Sequence, residues 1–198
     1  MNIPALEIGE TLPEAVSILL PLKEWAIADF KSSGISDRLI EANMQTVEGD
    51  AAVQILAEEA ISQVQKVQYA TKPAQKLLDL YEFARAGGWV AFGCTINGEV
   101  GQVGYFKPRQ PRIDFEKSQP IKYETPAKCP AIPILPRVDL ESAQRIYQKY
   151  SILPQDGETF WQCVKRCNIE IAVTEGLKKA LCLIDCGYPA IALRGVTC

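Results

Sequence analysis

The feature that most constrains the fold is a change of apolar period in IEIAVTEGLKKALCLIDCGYPAIAL, residues 169–193. Residues 169–173 alternate with period two, which predicts a short buried strand. Residues 177–186 carry apolar side chains at helical spacing, and Gly187 follows as a helix-ending residue. Residues 190–193 are apolar again. The run therefore predicts a strand–helix–strand unit whose two strands are adjacent and parallel.

One carboxylate, that of Glu175, lies on the turn between the first strand and the helix. Ligands of open parallel sheets bind at the carboxyl ends of strands, and a carboxylate there can hold Mg²⁺ or act as a general acid or base. It can equally stabilise the start of the helix through the helix dipole. Lys178 and Lys179 are electrostatically unfavourable in the first helical turn, so they predict either a bound anion or a solvated helix face.

The middle of the chain predicts a β-hairpin and then a basic loop. Asn97-Gly98 separates two apolar runs, residues 89–96 and 99–106, and this dipeptide is the strongest short hairpin signal. Residues 107–137 are rich in proline, which predicts an extended loop with one or two edge strands. Residues 105–137 contain 7 basic and 3 acidic side chains, an excess of positive charge.

Aromatic and basic residues interleave in this loop. Lysine and arginine can neutralise phosphates, and aromatic rings can stack on unpaired bases. A solvated loop would be charged as well, so a binding surface and a solvated loop are both open interpretations. The candidate nucleic-acid-binding or phosphate-binding residues are Lys107, Arg109, Arg112, Lys122, Tyr123, Lys178 and Lys179, and Phe115 and Lys128 belong to the same pattern.

The predicted class is α+β, in three parts. Residues 1–86 form a helical N-terminal region, because apolar residues recur there at helical spacing. Residues 87–168 form the hairpin and basic loop, followed by two helices. Residues 169–198 form the strand–helix–strand unit. The net charge is −6 over residues 1–85 and +3 over the remainder, which favours an anionic partner for the C-terminal half.

Composition excludes several classes of protein. The 198 residues contain no histidine, so Ser-His and Cys-His nucleophiles and histidine-ligated metals are excluded. No phosphate-binding P-loop and no dinucleotide fingerprint is present, so ATP hydrolysis by this chain alone is not expected. No apolar run approaches the ~20 residues of a membrane span, and the acidic N-terminus lacks a secretion signal, which predicts a cytoplasmic protein without a membrane partner.

The 7 cysteines are odd in number and widely spread, which predicts reduced thiols. Two pairs have i,i+4 spacing, Cys163 with Cys167 and Cys182 with Cys186. Four thiolates could bind zinc, but buried cysteines also act as small hydrophobic residues. The spacing matches no standard zinc module, which favours the second interpretation.

The C-terminal run resembles the start of a TOPRIM domain, the metal-binding fold shared by bacterial-type primases and topoisomerases. Glu175-Gly176 and Gly195 match its Glu-Gly after the first strand and its glycine near the end of the second. Upstream, NGEVGQVGYFKPRQPR and IKYETP are similar to the primase segment that precedes TOPRIM. From about Lys23 onward, the layout resembles an uncharacterised family with a primase-like, TOPRIM-like domain of unknown function. That domain is often joined to a helicase in plasmid or phage-type replication proteins.

The resemblance implies a primase-related DNA-replication protein that acts on single-stranded DNA and nucleotides with Mg²⁺. Glu175 would then be a catalytic and metal-binding carboxylate, and a helicase domain or protein would be a partner. TOPRIM chemistry also needs an Asp-x-Asp on a later strand, which this sequence lacks, and no zinc ribbon precedes the hairpin. The chain therefore resembles a fragment that ends within TOPRIM.

Two-metal phosphoryl transfer needs several carboxylates, so transfer is expected only with downstream sequence. The chain by itself is expected to make no primer. Two other functions remain open: a catalytically silent nucleic-acid-binding module, and a protein-interaction adaptor built on the acidic N-terminal half.

Overall fold

The computed structural model describes most of the chain as a mixed α+β structure, which confirms the predicted class. Phe115, Lys128 and Gly195, which the sequence patterns include, lie outside the described residues. None of the helices in the described ranges combines the length and the apolar composition that a bilayer crossing requires. The described residues are 21–63, 72–114, 116–127, 129 and 132–193.

The described part of the chain contains seven α-helices, a 3-10 helix and eight strands. The helices are α1 Leu22–Lys31, α2 Asp37–Asn43, α3 Gly49–Gln63, α4 Lys72–Leu80, the 3-10 helix Glu82–Ala86, α5 Leu140–Lys149, α6 Phe160–Arg166 and α7 Leu177–Asp185. The strands are β1 Met44–Val47, β2 Gly88–Cys94, β3 Val100–Pro108, β4 Ile113–Asp114, β5 Gln119–Pro120, β6 Pro133–Ile134, β7 Ala172–Thr174 and β8 Ala190–Leu193.

The predicted hairpin is confirmed as β2 and β3, which are antiparallel with Trp89 opposite Lys107. On its other edge β2 pairs antiparallel with β1, giving a three-stranded sheet in the order β1-β2-β3. A purely helical N-terminal region is therefore wrong at Met44–Val47. These four residues are extended because they pair with a strand more than forty positions further along the chain, a contact that local spacing does not encode.

The two faces of this sheet enter two separate apolar cores, because successive strand residues point to opposite sides. Trp89 and Tyr105 lie in a first core with residues of α1, α2, α7 and β8. Val90 and Phe106 lie in a second core with residues of α3, α4 and the 3-10 helix. The sheet is therefore a middle layer between two groups of helices.

The C-terminal unit has the predicted topology, because β7 and β8 are adjacent and parallel and α7 connects them. Antiparallel β6 covers the other edge of β8, so the sheet order is β6-β8-β7. Helix α7 buries Leu177, Ala180, Leu181 and Ile184 in the first core.

The predicted burial of residues 169–173 is wrong. The strand is limited to Ala172–Thr174, and the side chains of Ile171 and Val173 are 42% and 57% exposed. Ala172 packs against the first core, whereas the alternate positions point away from it. In a strand of a sheet covered on both faces the alternate residues would be buried as well.

A long-range contact holds the end of α7 in place. The Asp185 carboxylate accepts hydrogen bonds from the backbone N–H of Ser36 at 2.6 Å and from the Ser36 hydroxyl at 2.9 Å. Ser36 directly precedes α2, so this contact joins α2 to α7 across the first core. The position of α7 matters because its first turn borders the site described below.

Two glycine-to-serine changes test this geometry. A Cβ at Gly88 would lie 2.3 Å from the backbone oxygen of Lys107, whereas a Cβ at Gly176 would meet no atom within 4 Å. We expect Gly88→Ser to lower the free energy of unfolding by about 1–3 kcal/mol, because the sheet backbone must shift. Gly176 is extended and precedes α7, where serine is a good N-cap, so Gly176→Ser should be neutral or slightly stabilising. Urea denaturation measures both, and equal losses for the two variants would contradict this account.

Candidate functional site

A cleft of about 650 Å³ lies at the carboxyl end of β7, beside the first turn of α7. Three aromatic side chains, Trp89, Tyr105 and Tyr123, form one wall. The turn that contains Glu175 and Gly176 also lines the cleft, together with the start of α7. The cleft therefore brings together the two regions that the sequence patterns mark as functional, the basic loop and the Glu-Gly turn.

Tyr123 supplies the exposed ring of the aromatic wall. Its ring centroid lies 5.8 Å from that of Trp89 and 5.8 Å from that of Tyr105, in edge-on contacts. Trp89 and Tyr105 are 1% and 6% exposed, whereas Tyr123 is 40% exposed. Partial burial, with the charge of Asp29, raises the pKa of Tyr123 to about 12, so its phenol stays neutral near pH 7.

Tyr105 fixes the Glu-Gly turn relative to the sheets. Its hydroxyl donates a hydrogen bond to the backbone oxygen of Leu193, at the end of β8. The same hydroxyl lies 3.4 Å from the backbone oxygen of Glu175. The hairpin strand β3 therefore contacts the ends of both parallel strands, which places the turn against the aromatic wall.

Asp29 of α1 is the centre of an ion-pair cluster that the sequence patterns did not reveal. Its Oδ1 accepts hydrogen bonds from Lys107 Nζ at 2.6 Å and from Lys178 Nζ at 3.2 Å. Its Oδ2 accepts one from Trp89 Nε1 at 3.0 Å, and Lys178 Nζ also donates to its backbone oxygen at 2.9 Å. One carboxylate therefore joins α1, β2, β3 and α7.

The side chains of this cluster are mostly buried, with 15% of Asp29, 23% of Lys107 and 21% of Lys178 exposed. Burial acts to raise the pKa of Asp29, but hydrogen bonds and charges from the two lysines outweigh it and hold the pKa below its usual value. Burial lowers the pKa of Lys178, and Lys107 adds to that effect while Asp29 opposes it. Two ammonium groups share one carboxylate, so the cluster has one surplus positive charge.

Glu175 lies at the exposed edge of the cleft. Its side chain is 70% exposed and forms an ion pair with Lys179, which is 65% exposed. The hydrogen bond and charge of Lys179 lower the pKa of Glu175. Among the described residues no three His, Cys, Asp or Glu side chains gather closely enough to hold a metal ion. Mg²⁺ is commonly held by one or two carboxylates together with water and substrate phosphates, so a magnesium role for Glu175 stays a prediction.

Each of the two helix-start lysines has a carboxylate partner within the protein. Lys178 bonds Asp29, and Lys179 bonds Glu175. These partners offset the unfavourable placement of two cations in the first turn of α7. The placement of the two lysines therefore does not by itself require a bound anion, and anion binding at this turn stays a prediction.

The basic loop divides between the two faces of the sheet. Arg112 forms a bidentate pair with Glu124, with Nε–Oε1 at 2.7 Å and Nη2–Oε2 at 3.0 Å. The Glu124 side chain is only 5% exposed, and the Arg112 guanidinium lies 5.3 Å from the ring centroid of Phe83, beside the second core. Tyr123 instead borders the cleft, and Lys107 lies beside it with its Nζ 5.8 Å from the Tyr123 ring centroid, so the predicted residues do not form a single surface.

The remaining predicted residues lie away from the cleft lining. Lys122 is exposed, and the backbone N–H of Arg109 donates to the Gly87 oxygen at 2.8 Å. Neither side chain is among the described residues that border the cleft. Cys182 does border the cleft, and the pKa of its thiol is raised, mainly by burial.

A signal for Asp29 is present in the sequence. Asp29 follows the buried Trp25 by four positions and the buried Ala26 by three, which places its carboxylate on the apolar face of α1. Carboxylates are seldom buried unless they are paired. A charged residue on the buried face of an amphipathic helix therefore indicates a partner elsewhere in the chain, although it does not identify the partner.

The depressed pKa of Asp29 predicts a specific dependence of stability on pH. A carboxylate with a lowered pKa in the folded state stabilises the protein above its unfolded pKa, about 4, and loses that contribution as the pH falls further. Asp29→Asn should therefore be less stable than the wild type at pH 6.5, and the gap should narrow below about pH 4. Urea denaturation at stepped pH values measures the gap. Asp37→Asn is the control, because Asp37 is 74% exposed, and a constant gap for Asp29→Asn would contradict the assignment.

The buried Glu124 predicts a structural role for Arg112. Arg112→Met should lower the free energy of unfolding by about 1–3 kcal/mol, because it leaves a buried carboxylate without its partner. Adding Glu124→Gln should recover part of that loss, since the double variant has no unpaired buried charge. Arg85→Met is the matched control, because the carboxylates that pair with Arg85 in the described part of the chain, Asp50 and Glu82, are exposed. Chemical denaturation of the wild type and the three variants measures the free energy of unfolding. A smaller loss of that free energy in Arg112→Met than in Arg85→Met would refute this role.

The C-terminal part of the chain matches a known family model, described as Domain of unknown function (DUF3854), over residues 160–198. These residues include α6 and the β7–α7–β8 unit. An uncharacterized protein of Picosynechococcus sp. is 29% identical over 186 residues, which cover 88% of this chain. The chain spans only 17% of the length of that relative. No solved structure matches the chain. The similarities are therefore to proteins that carry no assigned function.

Proposed function

We propose that this chain is a single-stranded nucleic-acid-binding module. The observation that carries the proposal is the cleft in which the exposed ring of Tyr123 lies beside lysine ammonium groups. An aromatic platform next to positive charge is the usual means of binding unpaired bases and their phosphates. The volume of about 650 Å³ lies within the range of small-ligand sites, which is enough for one or two nucleotides.

Each side chain of the cleft has a distinct part in this binding. A base stacks on the ring of Tyr123, which Trp89 and Tyr105 hold in place from below. Lys178 attracts the adjacent phosphate from the lining of the cleft, and Lys107 attracts it from beside the Tyr123 ring. Lys179 adds a third cation at the rim when its surface pair with Glu175 opens, which costs little because both side chains are exposed. Binding of this kind is weak in sequence preference and strongly dependent on salt.

We further propose that the chain is part of a larger, primase-related DNA-replication protein of plasmid or phage type, located in the cytoplasm. The ordered resemblance to primase and TOPRIM segments supports the primase-related context, and the much greater length of the Picosynechococcus relative supports only a larger protein. Glu175 would contribute one carboxylate to a Mg²⁺-dependent phosphoryl transfer in such a protein, with the other carboxylates supplied by further sequence. A helicase domain or protein would be its partner.

Two substitutions of Tyr123 test the binding proposal. Stacking on an aromatic ring contributes about 1–3 kcal/mol per base, so Tyr123→Leu should weaken binding of a fluorescein-labelled oligothymidylate about fivefold to a hundredfold. Tyr123→Phe keeps the ring and should bind within about twofold of the wild type. Fluorescence anisotropy at low and at physiological salt measures both variants.

Two results of the anisotropy measurement would contradict the proposal. A wild-type chain that fails to bind oligothymidylate at low salt is not a nucleic-acid-binding module of this kind. Binding that is equal in Tyr123→Leu and Tyr123→Phe would place the nucleic acid elsewhere on the protein. Thermal unfolding of each variant shows whether a loss of binding follows from a loss of fold.

A further inference from the structure

We infer that the Asp29 cluster is a seat for one phosphodiester group of a single-stranded nucleic acid, rather than for the phosphate chain of a nucleoside triphosphate. The inference rests on the proposed function and specifies which part of the ligand the cluster holds. It concerns Asp29, Lys107 and Lys178, which come from α1, β3 and α7.

The charge balance of the cluster is the first observation. Lys107 Nζ and Lys178 Nζ bond the same oxygen of Asp29, so the two cations are close neighbours with only one carboxylate between them. The third polar contact of that carboxylate is a neutral indole N–H, that of Trp89. The bonded groups therefore leave one positive charge in a setting where each side chain is less than one quarter exposed. Burial of an uncompensated charge is unfavourable, and an anion of charge −1 would compensate it.

The position of the cluster relative to the aromatic wall is the second observation. Lys107 Nζ lies 5.8 Å from the ring centroid of Tyr123, and Lys178 borders the cleft directly. Each nucleotide of a strand carries one base and one phosphate. A base stacked on Tyr123 therefore brings its own phosphate within reach of both ammonium groups. The cluster and the ring thus match one repeating unit of a strand.

The same charge balance distinguishes the two kinds of ligand. A phosphodiester carries one negative charge, which equals the surplus of the cluster. A triphosphate carries up to four, and sites for it generally add a metal ion or a glycine-rich loop to the lysine. Glu175 would repel additional negative charge at the rim of the cleft, which disfavours the more highly charged triphosphate.

Lysine-to-methionine substitutions test this inference. Lys107→Met and Lys178→Met each remove the surplus charge but leave Asp29 with one ammonium partner, so both proteins should fold. Each should bind labelled oligothymidylate about tenfold more weakly at low salt, and the slope of log affinity against log salt should fall by about 0.7. Lys76→Met is the control, because Lys76 is an exposed lysine of α4 outside the cleft lining, and it should bind like the wild type.

Conservative variants keep the test decisive. If a methionine variant fails to fold, Lys107→Gln or Lys178→Gln replaces it, because glutamine removes the charge and keeps a donor for Asp29. Unlabelled tetrathymidylate and ATP then compete for the wild-type protein. We expect tetrathymidylate to displace the labelled strand at a lower concentration than ATP.

The results separate this inference from the proposed function. Weak binding by Tyr123→Leu together with wild-type binding by both lysine variants would overturn the phosphodiester seat and leave the binding module intact. Displacement by ATP at the lower concentration would also overturn it, in favour of a nucleotide site. Absence of any wild-type binding would refute both proposals together.

Discussion

The hydrogen bonds and ion pairs of the Asp29 carboxylate are the interactions on which the rest of the site depends. They connect positions separated by 78 and 149 residues, and they hold β3 and α7 against α1. Without this carboxylate, two ammonium groups would lie close together in a mostly buried place and would repel each other. The wall of the cleft thus results from a pairing between distant parts of the chain, and the motif around Glu175 supplies only its rim.

The sheet β1-β2-β3 has the Arg112–Glu124 ion pair on the side of the second core and the aromatic cleft on the side of the first core. Tyr123 and Glu124 are consecutive, yet the first contacts Trp89 in the cleft and the second pairs with Arg112 beside the second core. The period-two alternation of an extended chain is sufficient to cause this division. A dense basic segment therefore contains an arginine paired beside the second core as well as a lysine paired with Asp29 on the other side of the sheet.

Local patterns predicted the parts of the fold that local interactions determine. Asn97-Gly98 identified the hairpin, and the change of period identified β7, α7 and β8, because turn geometry and helix periodicity act over a few residues. Strand β1 and the exposure of Val173 depend on neighbours far along the chain, which spacing alone does not encode. The site shows the same limit: the sequence suggested a bound anion or a solvated helix face for Lys178, whereas its ammonium bonds Asp29 of α1, a contact that local spacing does not encode.

The edge position of β7 has a consequence for how the protein behaves in concentrated solution. Within the described residues β7 pairs only with β8, and the apolar residues Val173, within β7, and Ile171, just before it, are exposed. An unpaired strand edge with such side chains is a template to which another chain can add, and natural proteins limit that hazard with short edges. The three residues of β7 form such a short edge, so self-association there would involve few hydrogen bonds and would be reversible on dilution.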